Sequence, residues 1–214
     1  MKKYLAELIG TYALIFFGTG AILVNEITNG DIGHLGICLT FGMVVTVMIY
    51  AFRSVSGTHI NPAVSIAFVV AGCFKSNHLL GYIIAQILGA IFASLSLLLL
   101  FDGHNTLGAT LPANSIWQSF VLELILSFML MLVILFVSQD PSVEKYTAIA
   151  VGAAVAFEAL VGGPISGASM NPARSIGPAI VSGHLEHLWI YILSPCLGMI
   201  LASFTWLFFQ KSPN

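Results

Sequence analysis

The feature that most constrains the fold is an uncharged apolar run, "LLGYIIAQILGAIFASLSLLLLF", at residues 79–101. A helix of about 20 apolar residues is long enough to cross the ~30 Å hydrocarbon core of a bilayer. Comparable runs recur along the 214 residues, of which only 7% are charged. Soluble domains carry roughly 25% charged residues, so this chain is predicted to be an all-α integral membrane protein.

The N-terminal segment "MKKYLAELIGTYALIFFGTGAILV" resembles a signal peptide, because two lysines precede an apolar run. Three features favour a permanent span instead. Glu7 interrupts the apolar run, the run is long enough to cross a membrane, and no small-x-small cleavage site closes it. We therefore expect the first span to remain in the protein.

Six long segments are predicted to span the membrane, and two shorter ones are not. The six lie at about residues 4–24, 34–53, 79–101, 116–138, 146–163 and 187–209. The two shorter segments, about 62–74 and 172–182, each begin with an Asn-Pro-Ala sequence. Ten helical residues extend only ~15 Å, half of the core. Two such half-helices meeting tip to tip would complete a seventh span.

The two Asn-Pro-Ala sequences belong to an internal repeat. "SGTHINPAVSIAF" at residues 56–68 matches "SGASMNPARSIGP" at residues 166–178 in the same register, and Glu7 in the first span is echoed by Glu123 in the fourth. Each half, about 1–103 and about 114–214, therefore holds three spans and one half-helix. Because three is odd, the halves insert in opposite orientations. This predicts one channel domain over 1–214, an inverted repeat with a site at the midplane.

The distribution of lysine and arginine predicts the orientation of the chain. Six spans place the following on one side: Lys2, Lys3, Arg53, Lys75, Lys145 and Lys211. The loops of the opposite side carry Glu26, Asp31, Asp102 and Glu186. Positively charged loops stay in the cytoplasm, so we expect a multi-pass protein of the plasma or inner membrane with both termini cytoplasmic. Arg174 alone lies in the non-cytoplasmic half, so its position there needs a local explanation.

A single Asn-Pro has a plain structural meaning, because Asn caps a helix and Pro fits its first turn. Two register-matched copies at membrane depth imply more, since irregular backbone there is tolerated only within protein or beside a water-filled cavity. The carbonyls expected to line that cavity belong to Gly57, Thr58, His59, Gly167, Ala168 and Ser169. Asn61 and Asn171 would supply amide donors where the half-helices meet. Their positive ends would repel cations and protons while neutral dipolar molecules pass.

The motifs Asn61-Pro62-Ala63 and Asn171-Pro172-Ala173, with the six-span layout and the paired acids, resemble the aquaporin (major intrinsic protein) family along essentially the whole chain. Within it, "ISGASMNPARSIGPA" and "WIYILSP" are most similar to the plant nodulin-like intrinsic proteins and their bacterial relatives. The resemblance implies an hourglass channel, usually a homotetramer with one pore per subunit. It also implies that Glu7 and Glu123 are structural and hold the backbone of the pore loops.

The same resemblance implies a selectivity filter made of Phe41, Ala159, Ala168 and Arg174. Strict water channels resemble one another in having His at the Ala159 position and often Cys at the Ala168 position. Glycerol facilitators have a second aromatic at the Ala168 position and Asp where this chain has Ser175. The set found here is most similar to that of the nodulin-like proteins, which pass glycerol-sized neutral solutes and undissociated metalloid acids. We therefore expect a channel for water and such solutes, with a strict water channel as the alternative.

Two further titratable residues lie near the motifs. His59 is expected to line the cytoplasmic half of the pore, and a gating role is the alternative. Glu158 directly precedes Ala159, and three surroundings stay open for it: a neighbouring subunit, a polar loop, or Arg174.

Other function classes fit the sequence less well. A secondary transporter can also have inverted repeats and broken helices, but no acidic residue lies beside either Asn-Pro-Ala. A closed structural or adhesive protein is disfavoured by the short loops. The sequence shows no nucleotide-binding loop, metal cluster or catalytic triad, so we expect no enzyme activity, cofactor, bound metal or nucleic-acid partner.

Overall fold

The computed structural model describes residues 1–101 and 106–210, and this part of the chain is helical. Its α-helices are α1 Lys2–Ile27, α2 Gly33–Ser56, α3 Pro62–Val70, α4 Leu79–Leu100, α5 Ile116–Ser138, α6 Thr147–Ser166, α7 Pro172–Ser182 and α8 Leu188–Gln210. All but α3 and α7 are long and apolar enough to cross a membrane, which gives the six expected spans. Two residues used to predict the orientation, Asp102 and Lys211, lie outside the described residues.

The half-helices α3 and α7 meet at their N-termini in the middle of the bundle. At 1.5 Å per residue they extend about 13 and 16 Å, together about the thickness of the hydrocarbon core. α7 has its predicted bounds, but the prediction of 62–74 for α3 was too long. α3 ends at Val70 because Gly72 adopts a left-handed φ of +76° and the next two N–H groups fold back to the Phe68 carbonyl.

The predicted end of the fifth span, residue 163, was also wrong. α6 continues through Pro164 to Ser166. Proline has no N–H to donate to the carbonyl four residues earlier, so a proline inside a helix usually breaks it. Here the freed carbonyl of Leu160 accepts a hydrogen bond of 2.9 Å from Nε2 of His34 at the start of α2. A donor from a neighbouring helix thus replaces the missing backbone bond.

Glycines allow the helices to approach closely, and their positions show the inverted repeat. In the first half, a Cβ on Gly89 of α4 would overlap the Leu8 carbonyl of α1. In the second half, a Cβ on Gly198 of α8 would overlap the Leu124 carbonyl of α5. The two halves therefore pack by equivalent contacts, as small residues permit in membrane helices. The predicted fold class, six spans and two half-helices in an inverted repeat, is confirmed.

Candidate functional site

Two loops enter the bundle, one before each half-helix, and both have unusual backbone conformations. In the first loop Gly57, Thr58 and Ile60 have φ of +84°, +53° and +43°. The equivalent residues of the second loop, Gly167, Ala168 and Met170, have φ of +85°, +42° and +52°. A left-handed conformation costs a non-glycine residue about 1–3 kcal/mol and persists only where its surroundings hold it.

The buried carboxylate of Glu7 holds the first loop. Its Oε1 accepts hydrogen bonds from the Ser56 hydroxyl at 2.6 Å and the His59 N–H at 2.9 Å. Its Oε2 accepts from the Ile60 N–H at 2.6 Å and from Nε2 of Gln86 at 2.8 Å. Hydrogen bonds to a charged acceptor are the strong ones, so these contacts can offset the strain of the loop.

Glu123 makes the equivalent contacts in the second loop. Its carboxylate accepts from the Ser166 hydroxyl at 2.7 Å and from the N–H groups of Ser169 and Met170 at 2.8 Å each. The Tyr191 hydroxyl also holds this loop, because it donates to the Ser166 carbonyl at 2.8 Å. In the first loop, the Tyr82 hydroxyl donates to the Ser56 carbonyl at 2.7 Å. The two acids thus lie where a structural role in the loops requires them.

Asn61 and Asn171 cross-link the tips of the half-helices. The side-chain oxygen of each accepts the backbone N–H two residues further on, at 2.9 and 3.0 Å, and so caps its own helix. Nδ2 of Asn61 donates to the Met170 carbonyl at 2.8 Å, and Nδ2 of Asn171 donates to the Ile60 carbonyl at 2.9 Å. An amide NH₂ has two hydrogens. One N–H of each asparagine is therefore left for a molecule passing the tips.

Both asparagines line a narrow cavity of about 90 Å³ that runs along the bundle. This volume holds a few water molecules, since the share of each in the liquid is about 30 Å³. One part of its wall is apolar and is formed by Leu14, Val45, Ile49, Val64, Phe68, Leu130, Ile134, Val151 and Val155. The polar residues of the wall are Arg53, Thr58, His59, Asn61, Ser138, Thr147, Ser169, Asn171 and Arg174. The cavity wall thus combines apolar residues with hydrogen-bonding ones.

The four residues expected to form the filter line this same cavity. Arg174 is 3% exposed, and its guanidinium donates through Nη1 to the Gly108 carbonyl at 2.7 Å. Its Cζ lies 5.2 Å from the centre of the Phe41 ring. Its Nε is buried without a hydrogen-bond partner among the described residues, so the donors left for a permeant are the remaining N–H groups of Nη1 and Nη2. Ala159 and Ala168 contribute only methyl groups to the wall.

The remaining motif residues divide into lining and buried positions. Gly57, Thr58, His59 and Ser169 line the cavity as expected. Gly167 is not part of the cavity wall. It packs against the side chain of Thr110, where an added Cβ would lie 3.0 Å from Cγ2. The members of the motifs that lie buried in the first turns of the half-helices, outside the wall, are Pro62, Ala63, Pro172 and Ala173.

The imidazole of His59 is held in the cavity wall by its neighbours. Its Nδ1 lies 3.0 Å from the Ser65 hydroxyl, which also accepts from Nε2 of Gln86 at 3.0 Å. The ring packs against Phe68 and Phe74, with centres 4.8 and 4.7 Å away. A side chain held this closely favours the lining role over a gating role.

Glu158 lies away from the cavity wall on α6. It is half-buried, and its Oε2 has no hydrogen-bond partner among the described residues. Of the three surroundings considered for it, the one beside Arg174 has no support, since no hydrogen bond or ion pair joins the two in the described part of the chain.

Several residues of the site were not identified from sequence. Ser56 and Ser166 stand first in the repeated phrase, so their equivalence could have marked them. Tyr82 and Tyr191 occupy equivalent positions in the two halves and could have been found by extending the repeat. Gly108 had no such signal, because it acts through its backbone carbonyl and lies in a loop without a motif.

The chain is similar to known proteins in both sequence and structure. The family model described as Major intrinsic protein matches residues 1–206. Aquaporin NIP1-1 of Zea mays is 43% identical over 208 residues, which cover 96% of this chain and 74% of that protein. Nodulin-26 of Glycine max is 43% identical over 208 residues, covering 96% and 77%. The X-ray structure of the aquaglyceroporin from Plasmodium falciparum has a TM-score of 0.83 at 26% identity, covering 98% of this chain and 95% of that one.

Proposed function

The chain belongs to the major intrinsic protein family, and we propose that it conducts water together with small uncharged solutes, namely glycerol-like polyols and undissociated metalloid acids, while excluding ions and protons. Proteins of this family are channels rather than enzymes, so the coarser assignment is a multi-pass membrane channel for water and small solutes. The observation that carries the finer proposal is the pair of alanines, Ala159 and Ala168, beside Arg174 in the cavity wall.

The mixture of polar and apolar residues in the cavity wall supports passage of small polyols. A polyol has hydroxyl groups that need hydrogen-bond partners and carbon–hydrogen groups that do not. Thr58, Asn61, Asn171 and Arg174 are among the polar residues of the wall, and most of its other residues are apolar. A neutral solute can therefore exchange its hydration shell for these polar partners, while its carbon–hydrogen groups contact the apolar residues. With methyl groups at Ala159 and Ala168, the filter leaves room that a histidine would fill.

The proposed exclusion of ions rests on charge. The N-termini of α3 and α7 meet at the asparagine tips, and each helix end carries roughly +0.5 charge. Arg174 adds a full positive charge to the same wall. A cation entering the cavity would lose hydration and would be repelled at the asparagine tips and at Arg174. A neutral dipolar molecule would be repelled at neither place.

A permeability panel on proteoliposomes tests the proposal. Stopped-flow light scattering would compare water, glycerol, urea and arsenous acid for wild type and Ala159→His. We expect the histidine to reduce solute flux strongly while water flux survives. Ala153→His is the matched control, because Ala153 lies on the exposed face of the same helix. Water flux without any solute flux in wild type would refute the wide filter and favour a strict water channel.

The finer structural assignments are also proposals. We propose a homotetramer with one pore per subunit, built from a single domain over 1–214 with repeats at about 1–103 and 114–214. We place it in the plasma or inner membrane with both termini cytoplasmic, supported by the lysines and arginines near the helix ends on that side. Native mass spectrometry measures the subunit number. Cysteine labelling from each side of the membrane measures the orientation.

A further inference from the structure

A chain of buried hydroxyl groups links the pore wall to the loop between α4 and α5. Oγ1 of Thr110 in this loop lies 2.6 Å from Oγ of Ser175 on α7, which lies 2.6 Å from Oγ of Ser169. Ser169 lines the pore, and its hydroxyl donates to the Asn171 carbonyl at 2.9 Å. The three hydroxyl-bearing residues are each at most 6% exposed. Thr110 and Ser175 do not line the cavity, so neither hydroxyl contacts a permeant.

The hydrogen bonds of this chain run in one direction. A hydroxyl has a single hydrogen to donate, and Ser169 donates its own to the Asn171 carbonyl. Ser175 must therefore donate to Ser169, and Thr110 must donate to Ser175. Thr110 is thus the first donor of the chain, and its only hydroxyl hydrogen joins the loop to α7.

The equivalent serine of the first half is held by a spanning helix instead of a loop. There Ser65, the equivalent of Ser175, accepts a hydrogen bond of 3.0 Å from Nε2 of Gln86 on α4. The residue of α8 that corresponds to Gln86 is Pro195, because each lies four residues after the paired tyrosine of its half. A proline side chain has no donor, and Thr110 supplies the donor in its place.

The loop that carries Thr110 also holds the arginine of the filter. The Gly108 carbonyl accepts from Nη1 of Arg174 at 2.7 Å. Gly108 and Thr110 are two residues apart, at most about 7 Å along the chain, and Arg174 and Ser175 are adjacent on α7. Two neighbouring points of the loop are therefore bonded to two adjacent residues of α7. The bond from Thr110 thus restrains the carbonyl that fixes the guanidinium.

We propose that Thr110 is a positioning residue of the selectivity filter, and that its bond to Ser175 fixes how far Arg174 extends into the pore. This inference rests on the proposed solute channel. Without the Thr110 hydroxyl, the Gly108 carbonyl can move away from the guanidinium. A buried guanidinium that loses its acceptor finds a replacement in the water of the pore. It then turns into the space left by the two filter alanines and narrows the pore for glycerol more than for water.

Two substitutions at one position separate the hydroxyl from the packing of this side chain. Thr110→Val keeps the shape and removes the hydroxyl, whereas Thr110→Ser keeps the hydroxyl and removes the methyl group that packs against Gly167. Stopped-flow light scattering on proteoliposomes would measure glycerol and water permeability for each. We expect Thr110→Val to lower the ratio of glycerol to water permeability about five-fold, as the loss of one hydrogen bond can do to an equilibrium. Thr110→Ser should keep the wild-type ratio.

Two further variants test whether the effect belongs to the chain of hydroxyls. Thr106→Val is the matched control, because Thr106 lies in the same loop and its hydroxyl is not part of the chain. Its permeability ratio should equal that of wild type. Ser175→Ala removes the acceptor of Thr110 and should lower the ratio as Thr110→Val does, which also keeps the test available if Thr110→Val folds poorly. The double variant should be no worse than the more damaging single one, since both break the same link.

Three results would overturn the proposal. A wild-type ratio in Thr110→Val would show that the hydroxyl does not position the filter. A larger effect in Thr110→Ser would assign the role to the methyl group. Equal losses of water and glycerol flux in Thr110→Val would indicate a general structural role.

A wild-type protein that conducts water but no glycerol would refute the proposed solute range and leave this inference to a second readout. Water permeability then replaces the ratio, because a guanidinium turned into the pore obstructs water as well. It should fall in Thr110→Val and keep the wild-type value in Thr110→Ser and Thr106→Val. Unchanged water permeability in Thr110→Val would then refute the positioning role.

Discussion

The two buried acids offer a sharp test, because Glu123→Gln and Glu7→Gln are the same change in equivalent places. In each loop the carboxylate accepts backbone N–H groups from residues in strained conformations. The glutamine amide has one acceptor oxygen where the carboxylate has two. Its NH₂ then lies against a group that also donates, so each substitution creates a donor–donor contact.

For Glu123→Gln the structure offers no compensation. If the amide oxygen stays in the Oε1 position, it keeps the hydrogen bonds from Ser166 and Ser169. The NH₂ then opposes the N–H of Met170, whose φ is +52°. One hydrogen bond to a charged acceptor is lost and a buried N–H is left without a partner. We expect a loss of about 2–4 kcal/mol in the free energy of unfolding.

For Glu7→Gln a neighbour can compensate. The Nε2 of Gln86 donates to Glu7 Oε2, while the Oε1 of Gln86 is buried without a hydrogen-bond partner. If the Gln86 amide turns over, its oxygen accepts from the new NH₂, and the Ser65 hydroxyl can donate to the same oxygen. The new NH₂ still faces the N–H of Ile60, so this donor–donor contact remains. Because one bond is restored, Glu7→Gln should be milder by about 1–2 kcal/mol.

The assay is unfolding of the purified protein in detergent, with water permeability of proteoliposomes as the functional readout. Glu123→Gln should have the lower unfolding midpoint and the lower water flux. Adding Gln86→Leu to Glu7→Gln removes the compensating amide and should bring its midpoint down toward that of Glu123→Gln. If Glu7→Gln is as destabilising as Glu123→Gln, the compensation by Gln86 is refuted.

Two further predictions concern helix packing. His34→Ala should cost about 1 kcal/mol in unfolding free energy, because the Leu160 carbonyl loses its donor. The loss should be smaller in a Pro164→Ala background, which restores the backbone N–H. Equal losses in both backgrounds would contradict this. Gly152→Ala should lower the unfolding midpoint, although alanine is the better helix former, because its Cβ would overlap the α2 backbone. Gly20→Ala is the control, since its Cβ would meet only a leucine methyl at 3.3 Å, and an equal loss there would refute the packing argument.

Local signals predicted the second half-helix well and the first less well. Asn171 and Pro172 mark the start of α7, and Gly183, with φ of +82°, follows its last residue, so both ends are encoded next to the helix. Gly72, with φ of +76°, was an equivalent signal for α3, but the predicted bounds of 62–74 extended past it. The predicted end at residue 163 was wrong for a different reason, since the donor that allows α6 to continue comes from another helix.

The sequence by itself determined the six spans, the inverted repeat, and the capped tips at Asn61 and Asn171. These follow from apolar length, the parity of the spans, and capping chemistry between near neighbours. Only the tertiary structure decided that the Gly108 carbonyl holds Arg174, that Gln86 joins the Glu7 network, and that Gly167 lies outside the cavity wall. The physical reason is distance along the chain, because these contacts join segments that meet only after the helices have packed.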